Sequence, residues 1–274
     1  MKKVLLHIGA SKLQENSLNW AKEAGLYVVA TDIDVNAPSK HIADEFYNIS
    51  GKDVKSLLEL SKKLNHLNDL VGAYCNSDFG LHAVAEINSQ LSLKGCLPES
   101  VKLSLNKLQA KEVMSKKGVT VPLGFTMTKS SKYKNLTFPV IIKPADSCGS
   151  QGVSFIEQAQ DVKIAIDKAY NYSNTVMIEE YVDGDGVDTI GIMHDGNFYP
   201  YGIGLRMFSK LPYCFPIHGF SPIELSESKV KLAYLITEKA ALALGIKNGP
   251  IKADLLYKNG RFTLLELTPR FHGD

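Results

Sequence analysis

The chain has 274 residues, 45% hydrophobic and 22% charged, with a formal net charge of +2. That balance suits one large or two modest folded units, and lysines scattered without a clustered basic run exclude nucleic acid as the main partner. Cys75, Cys96, Cys148 and Cys214 lack metal-type spacing, which points to the reducing cytoplasm, and no apolar run is long enough to span a membrane.

The first stretch reads strand, helix, strand. Val4–Ile8 and Tyr27–Thr31 are apolar runs of strand length, and the apolar start behind Lys2 and Lys3 is too short for a signal peptide. Leu13, Leu18, Trp20, Ala21 and Ala24 form a rough helical stripe that Gly25 stops. A helix over Asp53–Leu64, a buried strand over Leu70–Cys75 and a helix over Phe79–Ile87 follow. Strands alternating with helices predict a parallel, doubly wound sheet, with its ligand crevice at the carboxyl ends of the strands. The dinucleotide signature is missing: Gly9 stands alone before Ala10 and Ser11. Asp32 and Asp34 read more readily as turn residues than as ribose ligands.

A boundary falls near Gly95–Pro98, separating residues 1–95 from residues 96–274. Beyond it, "SLNKLQAKEVMSKKGV" predicts one helix closed by Gly118. Short strands then follow at Gly124–Thr128, Val140–Lys143, Val153–Ile156, Val176–Val182, Thr189–Met193, Phe198–Leu205, Ile251–Tyr257 and Phe262–Glu266. Helices cover Asp161–Tyr170 and Ser226–Leu244. The pattern is that of an α+β unit with antiparallel sheets.

Three local signals carry chemistry. The first is "IIKPADSCGSQGV", a strand ending in Lys143 and a small-residue loop. A lysine on a rigid strand holds a phosphate oxygen as a point charge, and glycines let backbone N–H groups approach phosphates. An ordinary turn explains the loop equally well. The second is "MIEEYVDGDG", an apolar strand running into acids and a flexible joint; its alternative is a solvated strand end. The third is "IKADLLYKNGRFTLLELTPR", strand, Asn-Gly turn, strand. Glu266 and Thr268 are two apart and share a face, and Asp254 lies on the neighbouring strand. Carboxylates converging from two strands suit Mg²⁺. A glutamate flanked by leucines is costly to bury without a partner.

Taken together, "NKLQAKEVMSKKGVTVP", "FPVIIKPADSCGSQGV", "MIEEYV" and "ADLLYKNGRFTLLELTPR", in that order, make the chain resemble the ATP-grasp superfamily. The last segment is similar to the metal hairpin of biotin carboxylases and carbamoyl-phosphate synthetases. The resemblance implies a Rossmann-like α/β unit at 1–95 and an ATP-grasp unit at 96–274, with a lid subdomain at about 120–180. It implies that Lys107 and Lys143 contact ATP phosphates, and that Ser147, Cys148, Gly149, Ser150 and Gly152 belong to a lid loop over the β- and γ-phosphates. Glu179, Glu180, Tyr181 and Val182 would hold adenine, Asp254 and Glu266 would bind Mg²⁺ (or Mn²⁺), and Lys252 and Arg270 would stabilise charge on the transferring phosphoryl group. Two positions depart from the family pattern. Thr268 stands where Asn is usual among the metal ligands, and Asp188 replaces the usual ribose-binding Glu. Relatives also commonly continue past the position of Asp274.

The function this implies is an ATP- and Mg²⁺-dependent carboxylate–amine ligase acting on small molecules, amino acids among them, in the cytoplasm. Neither nucleic acid nor membrane is expected as a partner, and a homodimer is allowed. A kinase or carboxyphosphate-forming enzyme, and a nucleotide-binding module with little turnover, are the rivals. No nucleophile–base pair for covalent catalysis is seen; His194, His218 and His272 are isolated, with His218 a candidate lining for the acceptor site. Lys143 is expected to lack a partner until phosphate arrives, and the Asp146–Gly152 loop to be poorly ordered without nucleotide. Finally, a two-residue Asn259–Gly260 turn would pair Lys258 with Arg261 and put Asp254 and Glu266 on opposite faces. A shared metal therefore predicts a three-residue loop, Lys258-Asn259-Gly260.

Overall fold

The computed structural model describes residues 2–129, 135–146, 151–211, 216–220 and 224–271, without the side chains of 216, 218 and 220. The expected lid-loop residues Ser147, Cys148, Gly149 and Ser150, with His272 and the side chain of His218, lie outside the described residues.

The amino-terminal sheet is parallel. β1 (Lys3–Ile8) pairs with β2 (Tyr27–Thr31) on one side and β4 (Asp69–Tyr74) on the other, and the short β3 (Glu45–Tyr47) extends the β2 edge. The strands are apolar on both faces because both are covered. Val28 and Ala30 pack on α1 (Glu15–Glu23) through Leu18 and Ala21. Val4, Leu6, Ile8 and Val29 pack on α2 (Val54–Leu67) and α3 (Leu81–Gln90) through Leu57, Leu60, Leu64, Ala83 and Ile87. Asp53 caps α2 by accepting from Ser56 N at 3.1 Å. The stripe expected for α1 is corrected at three positions: Leu13 and Trp20 are both 64% exposed and Ala24 is exposed too, so Leu18 and Ala21 alone anchor the helix.

The helix expected from Ser104 to Gly118 begins only at Lys107, and a helix the sequence reading did not include precedes it. α4 (Pro98–Leu105) and α5 (Lys107–Lys116) meet at Asn106, which has an extended backbone and whose side chain accepts from Gln109 N at 3.1 Å. Asparagine competes for local backbone donors, so it caps a new helix more readily than it continues an old one.

Two antiparallel sheets follow. The smaller has the order β5 (Gly124–Met127), β8 (Val176–Glu180), β6 (Val140–Pro144), β7 (Ser154–Ile156), with α6 (Val162–Ala169) packed on it through Val162, Ala165 and Ile166. The larger has the order β11 (Pro216–Phe220), β10 (Asn197–Phe208), β9 (Asp185–His194), β12 (Gly249–Lys258), β13 (Arg261–Thr268). α7 (Glu227–Ala243) covers its back, burying Ala233, Ala240 and Ala241 against Val187, Ile251, Ala253 and Leu267. β11 falls where the sequence reading placed neither strand nor helix.

The β12–β13 hairpin overturns the expected three-residue loop. Lys258 pairs with Arg261 across Asn259 (φ 51) and Gly260 (φ 81), the two-residue turn with both central residues left-handed. Leu255 then pairs with Leu264, but Asp254 pairs with Glu266, so Leu265 is an extra residue in β13. This β-bulge restores the parity that the turn would deny, and Asp254 and Glu266 end directly opposite one another on one face.

One buried titratable group lies inside the first sheet. His7 is fully buried in β1; its Nδ1 is 2.8 Å from the Gly9 carbonyl and its Nε2 2.8 Å from the Ser17 hydroxyl. In the neutral ring Nδ1–H donates to Gly9, while the one Ser17 hydroxyl proton is shared between Nε2 and the Gln14 carbonyl, 2.9 Å away. Burial pushes the pKa down to about 4, only partly countered by the Gly9 carbonyl. The unfolded chain therefore binds a proton that the folded chain refuses, and stability that is complete above about pH 6.5 is lost as pH falls towards 4. The loss expected over that window is about 3 kcal/mol. Urea-unfolding midpoints from pH 7.5 to 4.5 should fall more steeply for the wild type than for His7→Gln.

Candidate active site

α5 and the small sheet supply the first cluster. Lys107 and Lys111 lie one helical turn apart and share a face. On the sheet, Ile141 is opposite Glu179, so Lys143 sits diagonally across from Glu179 on the same face. Glu179 is 4% exposed and accepts from both amines, Oε2 from Lys111 and Oε1 from Lys143. Burial would raise the Glu179 carboxyl, but Lys143 and then Lys111 outweigh it and hold the pKa below the usual carboxylate range. Burial, followed by repulsion from Lys143, lowers Lys111 to about 8 despite Glu179. Two ammonium groups share one carboxylate, so the cluster keeps a net positive charge beside an open cavity. Lys143 thus has a protein partner, contrary to the expectation from sequence.

The larger sheet supplies the floor. Asp188, Asp254 and Glu266 are direct neighbours on β9, β12 and β13 and form a row of acids on one face. Lys252, two residues before Asp254, donates to it at 2.9 and 3.0 Å. Asp188 accepts from Arg206 Nε at 2.6 Å. Burial, and then the neighbouring Asp254, raise Asp188 to about 6 against the pull of Arg206.

Between these clusters lies a cavity of about 440 Å³, in the size range of nucleotide and cofactor sites. Lys107 and Lys143 reach it from one side, Asp254 and Glu266 from the floor, and Glu180, Tyr181 and Val182 from the segment joining the two sheets. Apolar walls come from Ile141, Pro144, Val153, Phe208, Leu256 and Leu265. Lys107 Nζ is 3.8 Å from Glu266 Oε1. Tyr181 packs edge-on against Phe155 at 4.7 Å between ring centres.

The sequence reading is therefore redistributed. Lys107, Lys143, Glu180, Tyr181, Val182, Asp254 and Glu266 converge on the cavity. Glu179 lines it too, but its carboxylate is spent on the two lysines, so it is an anchor for Lys143. Asp188 is not in the wall; Arg206, which it holds, is. Lys252, Thr268 and Arg270 lie behind or beside the floor rather than in the wall. Gly152 has φ +73, and a Cβ there would come within 2.8 Å of the Tyr172 ring and 2.9 Å of Pro144, so this position requires glycine.

Of three further participants, Lys111 was not singled out by the sequence, whereas Arg206 and Asp78 lie in the segments Arg206–Glu224 and Asn76–Phe79, which the sequence offers only as shaping the substrate site, with no role for either residue. Lys111 carries no motif beyond its i,i+4 spacing from Lys107. Asp78, in the loop between β4 and α3, accepts from Arg270 Nε at 2.5 Å and Nη2 at 3.3 Å. Arg270 also feels the negative charge of Glu266 and Asp254; burial opposes its protonation, but these acids and Asp78 hold the proton on.

The donor set fits a hard divalent cation. Two carboxylates on adjacent strands face one cavity, and Mg²⁺ favours one or two carboxylates, with phosphate oxygens and waters completing its shell. Among the described residues, no group of three or more His, Cys, Asp or Glu is placed to hold a metal ion by itself. The Thr268 hydroxyl is buried and has no hydrogen-bond partner among the described residues, yet it does not reach the cavity wall. Asp254 and Glu266 would hold the ion.

Residues 118–216 match the family model described as D-ala D-ala ligase C-terminus. The chain is 24% identical to a formate-dependent phosphoribosylglycinamide formyltransferase of Prochlorococcus marinus over 99% of its own length and 70% of the relative's. In structure it resembles an L-amino acid ligase from Bacillus licheniformis, with a TM-score of 0.83 and 19% identity over 98% of this chain and 68% of that one. It also resembles the ADP complex of an N5-carboxyaminoimidazole synthetase from Staphylococcus aureus, with a TM-score of 0.83 and 17% identity over 99% and 72%.

Removing Glu179 leaves two ammonium groups facing each other in a buried site. Breaking a buried ion pair from one side costs about 3–5 kcal/mol. Glu179→Ala is expected to lower the urea-unfolding free energy by that order, whereas truncation of the exposed Lys163 on α6 should be silent in the same assay.

Proposed function

The chain carries the ATP-grasp fold, and from that premise we propose that it binds Mg²⁺–ATP in the cavity and joins a small-molecule carboxylate to an amine. The observation that carries this reading is the meeting of Lys107, Lys143 and Arg206 with Asp254 and Glu266 around one cavity. Phosphoryl transfer needs little covalent chemistry from the protein; it needs the phosphates held, their charge neutralised and the acceptor aligned.

In this reading adenine lies against Ile141 and Val153 and meets the backbone of the Glu180–Val182 segment. Lys143, fixed by Glu179, and Lys107 take phosphate oxygens. Mg²⁺ on Asp254 and Glu266 would neutralise charge between the phosphates. A carboxylate oxygen of the first substrate attacks the γ-phosphorus; the new P–O bond forms as the bond to the β-phosphate oxygen breaks, and ADP leaves. The amine then attacks the acyl carbon, phosphate departs, and the amine loses its proton to water or phosphate. Lys252 and Arg270 flank the floor and favour the negative charge that builds up there. The small sheet, residues 124–180, acts as the lid subdomain within a unit running from 96 to 274, and 1–95 acts as the preceding α/β unit. Amino acids are the substrate class we favour for the amine.

The decisive assay adds panels of small carboxylates and amines to the protein with Mg²⁺–ATP and follows ADP and phosphate. ADP release that requires both an acid and an amine is expected. Tight ATP binding with no turnover across the panel would favour a nucleotide-binding module, and ADP release with a carboxylate or alcohol alone would favour the kinase-type rival.

Lys143→Ala leaves Glu179 paired with Lys111, so the fold should persist. Charge-assisted hydrogen bonds contribute about 1.5–3 kcal/mol, so ATP affinity measured by calorimetry should fall roughly ten- to a hundredfold. Unchanged affinity would remove Lys143 from the phosphate site.

A further inference from the structure

Arg270 stands just past the metal-type hairpin, its backbone N–H donating to the Thr268 carbonyl at 2.9 Å. Its guanidinium is fixed by three hydrogen bonds to two partners. Nε and Nη2 donate to the two oxygens of Asp78 at 2.5 and 3.3 Å, and Nη1 donates to the Phe271 carbonyl at 2.9 Å. The two side chains are 16% and 20% exposed, so solvent screens the pair only weakly. Asp78 lies 192 residues earlier in the chain, at the carboxyl end of the parallel sheet. A guanidinium has five N–H donors; with one used on each nitrogen, a hydrogen remains on each Nη. Hydrogens left on an arginine's terminal nitrogens suit phosphoryl oxygens.

We infer that Asp78 is a positioning residue: Arg270 lies just outside the cavity wall but within reach of the charges of Glu266 and Asp254, and Asp78 fixes its plane so that its remaining N–H donors are held for the phosphoryl group in transfer. The inference rests on the nucleotide reading above. It differs from a merely structural tie in one measurable respect. A tie would affect every ligand alike, whereas a positioning residue matters only when charge is redistributed on the transferring group.

The test is calorimetric titration of the full chain with Mg²⁺–ADP alone and with Mg²⁺–ADP plus aluminium fluoride, which imitates the phosphoryl group in transfer. For wild type, aluminium fluoride should tighten binding. Asp78→Asn should keep Mg²⁺–ADP affinity within about twofold and lose about tenfold of the tightening, the scale of one charged hydrogen bond. Asp78→Glu, which keeps the charge and displaces it by one methylene, should recover part of it. Tightening that survives in Asp78→Asn, or an equal loss for both ligands, overturns the inference while leaving the nucleotide site standing. Failure of wild type to bind Mg²⁺–ADP overturns both. Should Asp78→Asn not fold, Asp78→Glu and Arg270→Lys decide between the same outcomes: selective loss of tightening supports the inference, and wild-type tightening in both refutes it.

Discussion

A pleated strand sends alternate residues to opposite faces, so acids on neighbouring strands share a surface only if the register allows it. The floor of this cavity depends on that parity. Asp188, Asp254 and Glu266 are in line because β12 meets β9 in unbroken register and meets β13 through one extra residue, Leu265. Local turn chemistry and the face requirement conflict in this hairpin, and the bulge satisfies both. Asn259 and Gly260 keep the left-handed turn they favour, and the correction is made near the other end of the strand.

Charge follows from this geometry. Acids in a row repel one another unless cations lie close by. Lys252 sits against Asp254, Arg206 against Asp188, and Lys107 approaches Glu266. Across the cavity the sign reverses, with Lys111 and Lys143 sharing Glu179. A polyanion carrying a divalent cation has charges of both signs and so complements both walls together.

Much of this was legible in the sequence. The parallel sheet and its helices follow from apolar runs alternating with 3.6-residue periodicity, and the hairpin acids from "ADLLYKNGRFTLLELTPR". Four kinds of feature were not. Asn106 delays the helix expected from Ser104, because a capping hydrogen bond outweighs a continuous stripe. A bulge leaves no composition signal, so the hairpin register came out wrong even though the face came out right. Trp20 and Leu13 look like core residues and are exposed, since α1 needs only Leu18 and Ala21 to cover its side of the sheet. The partners of Asp188 and Arg270 depend on which strands become neighbours, and Asp78 in particular sits in a loop with no pattern of its own.

The contact between Asp78 and Arg270 also constrains how such a protein can be rebuilt. The amino-terminal sheet and the large antiparallel sheet have separate cores, which invites treating them as exchangeable modules. Yet the arginine beside the floor acids is held by a carboxylate from the other sheet. A chimera that grafts a new first unit onto this hairpin would inherit an unanchored guanidinium unless the incoming β4–α3 loop also carries an acid at the same place. Modularity here ends at side chains that cross the boundary, Tyr74 against Phe271 and Lys94 on Asp195 as well as this pair.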